Sequence, residues 1–132
     1  MGKKRQMPQE VAKLFSKKPR KSFYEMLVIF KPHLPDPVRV QLEEKTESII
    51  KKHKGSVKAK AIWGKRVMAY KIKGNKEGYY ILYYFEAPVE KVEKMKVELG
   101  RIPELLRYMV IKLEEMSLEK LKLLAKKAIV VE

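Results

Sequence analysis

The sequence contains no cysteine. That absence excludes disulfide scaffolds, thiol catalysis, iron–sulfur clusters and the usual structural zinc sites. Histidine is nearly as scarce, with two among 132 residues, and tryptophan occurs once. The longest run of apolar and aromatic residues, Tyr79 to Phe85, is far short of the roughly 20 needed for a helix to span a bilayer. No apolar stretch follows the basic N-terminus, so no secretory signal is expected. Gln6 stands where the myristoylation pattern requires Ser or Thr. Acid is also in short supply: 16 Asp and Glu face 31 Lys and Arg, for a net charge of +15. An excess of that size concerns partners rather than fold, and it favours polyanions, above all nucleic acid. With 45% hydrophobic residues the chain still has material for one core, and its length suits one domain. The composition predicts a soluble, intracellular, strongly basic single domain.

The charge is unevenly placed. Residues 1–22 carry eight cations (Lys3, Lys4, Arg5, Lys13, Lys17, Lys18, Arg20 and Lys21) against one acid, Glu10. They read as a basic flexible arm, with room for one helical turn around Val11–Phe15. Residues 23–113 form the domain and hold 19 cations and 11 acids. In residues 114–132 four Lys balance four Glu. Ser117 is placed to cap an amphipathic helical segment there, with Leu118, Leu121, Leu124 and Ala125 on one face.

Within the domain, element types alternate. Phe23 to Phe30 is β-rich and ends before Pro32, which cannot donate to a ladder. Asp36 is the expected N-cap of a helix, with Pro37 at its first position. Val38, Leu42, Thr46, Ile49 and Ile50 form its inner stripe, and Gly55 ends it after Lys51, Lys52 and Lys54. Ser56 to Ile72 alternates as a strand, with a bulge expected at Gly64. A turn is expected over Gly74–Gly78, then a strand from Tyr79 to Ala87. Pro88 opens a second helix with Val92, Met95, Leu99 and Ile102 inward, and Leu105 to Leu113 is the last strand. The order β-α-β-β-α-β predicts an α+β, ferredoxin-like split βαβ domain, a four-stranded antiparallel sheet with two helices on one face. If Met26, Val28 and Phe30 pack under the helices, Leu27 and Ile29 fall on the open face as apolar surface wanting a protein partner.

Catalysis finds little support. His33 lies in a Pro-rich loop and His53 at a helix end between Lys52 and Lys54; both read as solvated. Glu43, Glu44 and Glu47 alternate with Lys45 in the manner of a solvated helix face. The serines have no nucleophile-elbow context, and no helix follows Gly74 and Gly78 to cradle a phosphate. The chain is read as a non-enzyme with no cofactor, metal, small-molecule substrate or membrane partner.

The stretch from Lys58 to Lys76 is different. It holds Lys58, Lys60, Lys65, Arg66, Lys71, Lys73 and Lys76 and no acid. Lysines protecting an edge strand account for two or three of these, not seven without counter-charge. A phosphate footprint is the favoured reading. Arg20 and Lys21 in the arm and Arg107 and Lys112 on the last strand are further RNA-binding candidates, the last two equally well read as ordinary edge charges. Among Tyr79, Tyr80, Tyr83 and Tyr84, those on the open face are free to stack on bases or a protein. A free RNA-recognition module has the same topology and stays open as the alternative. Its third-strand signature fits poorly, since Glu77-Gly78-Tyr79-Tyr80-Ile81-Leu82 puts acid for base and Ile for the key aromatic.

Four features together resemble the bacterial small-subunit ribosomal protein six family. They are Tyr24-Glu25, the block from Gly64-Lys65-Arg66 through Ala69-Tyr70-Lys71-Ile72, Gly78-Tyr79-Tyr80 with Phe85-Glu86-Ala87-Pro88, and Leu106-Arg107-Tyr108-Met109-Val110. Lys71 departs from the family, which usually has Pro there. The resemblance covers about 70% of the chain, Phe23 to Leu113. It implies a ferredoxin-like fold and a structural role in the small ribosomal subunit. It also implies binding to the central domain of small-subunit rRNA together with small-subunit ribosomal protein eighteen. An organellar version with residues 1–22 as a transit segment is held open, although Glu10 and the preference for Lys over Arg weigh against it.

Overall fold

The computed structural model describes residues 20–113 and the backbone of residues 129–130. The expected turn around Val11–Phe15 and most of the C-terminal helical segment lie outside these residues. Five strands and two helices follow in the order β1 (Lys21–Phe30), α1 (Asp36–Lys52), β2 (Ser56–Ile72), β3 (Asn75–Pro88), α2 (Val92–Leu99), β4 (Leu105–Leu113) and β5 (Ile129–Val130). The sheet is antiparallel, ordered β4-β1-β3-β2-β5. The first four strands give the ferredoxin-like arrangement that the alternation of elements predicts. Ile129 and Val130, expected at the end of a helical segment, instead pair with Lys60 and Ala59 on the outer edge of β2.

Register assigns the faces. β1 lies between β3 and β4, and Met26, Val28 and Phe30 point to the same side as Ile81, Tyr83 and Phe85. Leu42, Ile49 and Ile50 of α1 and Val92, Met95 and Leu99 of α2 close over them to form the main core. Thr46, inside the apolar stripe of α1, is fully buried, and its hydroxyl donates to the Leu42 carbonyl at 2.8 Å, which satisfies it locally.

The element ends differ from expectation in four places: Pro88 ends β3 instead of opening α2, which follows a 3-10 turn over Val89–Lys91, and the other three have a local reason. β1 starts at Lys21, and the Arg20 carbonyl accepts from Val89 N, so these two cations belong to the folded domain rather than to the arm. Asp36 is not the cap of α1: Pro35 occupies that position, and Asp36 sits in the first turn, paired with Arg39. The β2–β3 turn is tighter than Gly74–Gly78. Lys73 and Gly74 both have positive φ and Ile72 pairs with Asn75, as in a two-residue hairpin, so Asn75 to Gly78 joins β3.

Candidate nucleic-acid and partner interface

The long β2–β3 hairpin brings the candidate residues together. Its ladder breaks twice in the middle. The first break lies between Ile62 and Gly64, where Gly64 takes φ +78° and Trp63 is left as the extra residue. The second lies between Val67 and Ile72, so Met68 to Lys71 leave the β3 ladder and arch over the open face of the sheet. Met68 packs there with Ile29 and Leu106, and the Tyr70 hydroxyl accepts a hydrogen bond from Arg107 Nη1 of β4 at 2.5 Å. The arch and the sheet enclose an open groove of about 340 Å³ whose lining includes Leu27, Ile29, Tyr80 and Met109.

This geometry corrects the expected partner surface. Ile29 is buried, at 7% exposure, and Leu27 is half-buried, because the arch and β3 cover them. The exposed apolar side chains on this face are Met109 and Ile111 of β4, with Trp63 and Tyr70 of β2. Of the β3 tyrosines expected on the open side, Tyr84 is buried and donates to Glu25 at 2.7 Å; its burial first, and that bond second, push its pKa up. Tyr80 is half-buried and stacks on Trp63. Tyr79 packs against the main core and Ile81 is fully buried in it, so neither is free to stack on a base.

The cations separate into two groups. Lys65, Arg66, Lys71, Lys73 and Lys76 are exposed around the hairpin end, and exposed Arg107 reaches them from β4. Lys73 Nζ donates to the Leu105 carbonyl at 3.4 Å, which ties the turn to the start of β4. Arg20 and Lys21 lie at the opposite end, where Lys21 pairs with Pro88, and Lys112 and half-buried Lys58 lie toward that end too. Lys60 is corrected outright. It is not without counter-charge, since its ammonium binds Glu43 at 2.9 Å and Glu47 at 2.8 Å on α1. Burial alone would lower its pKa, but the bonds to Glu47 and Glu43 outweigh that and raise it. Glu43 and Glu47 are therefore not a merely solvated face. Glu47 also accepts from Tyr83, whose pKa is driven up by burial and by the carboxylates beside it.

His53 differs from expectation as well. Its side chain is largely buried, and Nε2 lies 2.8 Å from Glu98 of α2, which also accepts from Lys52 at 3.0 Å. These contacts, that of His53 foremost, lower the Glu98 pKa and join the C-terminal ends of the two helices. His33 stays exposed, 3.8 Å from Glu77. Among the described residues no group of His, Asp and Glu is placed to hold a metal ion, and no helix is long and apolar enough to cross a membrane.

Residues 23–112 match the family described as Ribosomal protein S6. The chain belongs to that family. Relatives include the small ribosomal subunit protein bS6 of Caulobacter vibrioides, 32% identical over 80% of this chain and 84% of its own. The bS6 protein of Christiangramia forsetii is 32% identical over 70% and 82%. The crystal structure of 30S ribosomal protein S6 from Thermotoga maritima superposes with a TM-score of 0.68 at 28% identity, covering 81% of this chain and 99% of that one. The matched span is the folded domain, and within it lies the whole hairpin with its cations. Trp63, Met109 and Ile111 are exposed apolar residues of the open face that the sequence pattern had not singled out. Met109 and Ile111 carry the same period-two signal as Leu27 and Ile29, on the neighbouring strand.

Proposed function

We propose that this chain is a structural component of the small ribosomal subunit in the cytoplasm. It binds the central domain of small-subunit rRNA jointly with small-subunit ribosomal protein eighteen, and it acts by contact rather than catalysis. The observation that carries this reading is the joining of two surfaces on the open face of the sheet. Five exposed hairpin cations and Arg107 lie at one end of it, and from Arg107 the exposed apolar residues Met109 and Ile111 continue along β4. Cations at that density neutralise closely spaced phosphates and bind through backbone shape rather than base sequence. Met109, Ile111 and the adjoining groove offer the apolar patch that a protein partner needs. Lys65, Arg66, Lys71, Lys73 and Arg107 are the principal phosphate contacts. Lys58, Lys112, Arg20 and Lys21 serve a second path at the other end. Lys60, held by two carboxylates, is left out of the contact set.

Co-sedimentation of the purified chain with small ribosomal subunits through a high-salt wash tests the assignment. Retention is expected, with loss when Met109 and Ile111 are both changed to Ser. A chain that washes off, or one that binds free single-stranded RNA equally well and ignores subunits, would overturn it.

A further inference from the structure

The only tryptophan of the sequence lies in the bulge of β2, and it is 43% exposed. An indole is an expensive group to leave in water, and Tyr80 and Arg66 shield it only in part. Its placement is nevertheless ordered. The ring stacks on Tyr80 at 6.4 Å between centroids and 16° between planes, which is an offset-stacked geometry. The Arg66 guanidinium lies 5.8 Å from the indole centroid, and Arg66 Nε donates to the Trp63 carbonyl at 3.3 Å. Ring and cation are thus fixed to each other across Gly64, whose positive φ makes the turn between them. Lys65 is exposed beside them, and the strand carries no acid from Lys58 to Lys76.

An apolar planar group held next to unopposed cations matches the chemistry of one nucleotide, a flat base joined to a phosphate. We propose that Trp63 and Arg66 form a stacking platform for a single unpaired base of the bound RNA, with Lys65 on its phosphate. The platform rests on the rRNA-binding reading and adds to it a base contact independent of base identity, since every base has a face to stack. Tyr80 and the bulge hold the indole in place beforehand, so little side-chain freedom is lost on binding.

Because Trp63 is the only indole, its fluorescence reports on this site alone. The full-length chain is titrated at low salt with single-stranded oligoadenylate and with an RNA duplex of equal phosphate count. Saturable quenching by the single strand is expected, with little change on duplex binding followed by anisotropy. Trp63→Ala should weaken single-strand binding about tenfold and leave duplex binding unchanged, while Trp63→Phe retains most of the affinity. The double change Lys65→Ala and Arg66→Ala should weaken both. Equal binding of both RNAs by the parent and by Trp63→Ala, without quenching, overturns the platform and spares the phosphate contacts. Failure of the parent to bind either RNA overturns the rRNA reading and the platform with it. Unchanged RNA binding by Trp63→Ala combined with loss from small subunits overturns the platform in favour of a protein contact at Trp63.

Discussion

At the scale of single residues, the side chains with most at stake are those whose partners lie far away in sequence. Glu98 is held ionised by His53 and Lys52, so its folded-state pKa lies below its unfolded value. The stabilisation is present above the ordinary carboxylate range and is lost as pH falls through the lowered pKa. Glu98→Gln is therefore expected to lower the urea midpoint at neutral pH, with parent and variant converging between about pH 5 and about pH 3. A constant offset across that range would contradict the role given to its charge. Lys60→Met should cost about 1–3 kcal/mol, because it leaves Glu43 and Glu47 close together without their cation. Adding Glu43→Gln and Glu47→Gln should restore much of that loss in the same denaturation assay. A Cβ at Gly78 would overlap Ile29 Cγ2, so Gly78→Ala should destabilise by about 1–3 kcal/mol. A double-mutant cycle with Ile29→Ala should then show non-additivity. None of these contacts was visible in the sequence. Glu43, Glu47 and His53 read as solvated because helical spacing reports neighbours on the same helix and is silent about Lys60 or Glu98.

At the scale of elements, periodicity was a sound guide wherever a strand or helix has one buried face. β2 and β4 have the bounds that their alternation predicts, and Val92, Met95, Leu99 and Ile102 are all buried as spaced. The reading failed where an element leaves its ladder. Alternation puts Leu27 and Ile29 on the correct face, but it carries no information about the arch from Met68 to Lys71 that covers them. The hairpin is also where the charge prediction belongs. Replacing Lys65 and Arg66 by Ala should reduce the slope of log K against log salt by about 0.7 to 0.9 for each lost phosphate contact. An unchanged slope in a salt titration with rRNA would remove both from the interface.

At the scale of the whole molecule, candidate cations of the described residues stand at both ends of the sheet, and the ends are not equivalent. The hairpin end holds the denser set, exposed Lys65, Arg66, Lys71, Lys73 and Lys76 with Arg107 reaching them from β4. Lys71→Ala with Lys73→Ala is therefore expected to weaken small-subunit association more than Arg20→Ala with Lys21→Ala, measured by sedimentation at matched salt. The reverse order would place the RNA at the other end. Composition alone points to the class of partner, since +15 on a chain of this size favours a polyanion. It could not disclose the end, because that depends on Arg107 meeting Tyr70 and on Lys73 reaching Leu105, pairings made only when β4 docks.

That docking has a kinetic side. β1 sits in the middle of the sheet, and one of its two neighbours is the last long strand: Phe23 lies opposite Leu113 and Ile29 opposite Arg107. Local segments such as the β2–β3 hairpin can form early, on a microsecond scale. The ladder of β1 with β4 must wait for a loop spanning nearly the whole domain to close. During synthesis, a chain that has not yet released β4 exposes one edge of β1, with its Met-Leu-Val-Ile-Phe run, as an unpaired apolar strand. A truncation before Leu105 should leave the nascent domain in that state and make it prone to aggregation, while the full domain folds cooperatively.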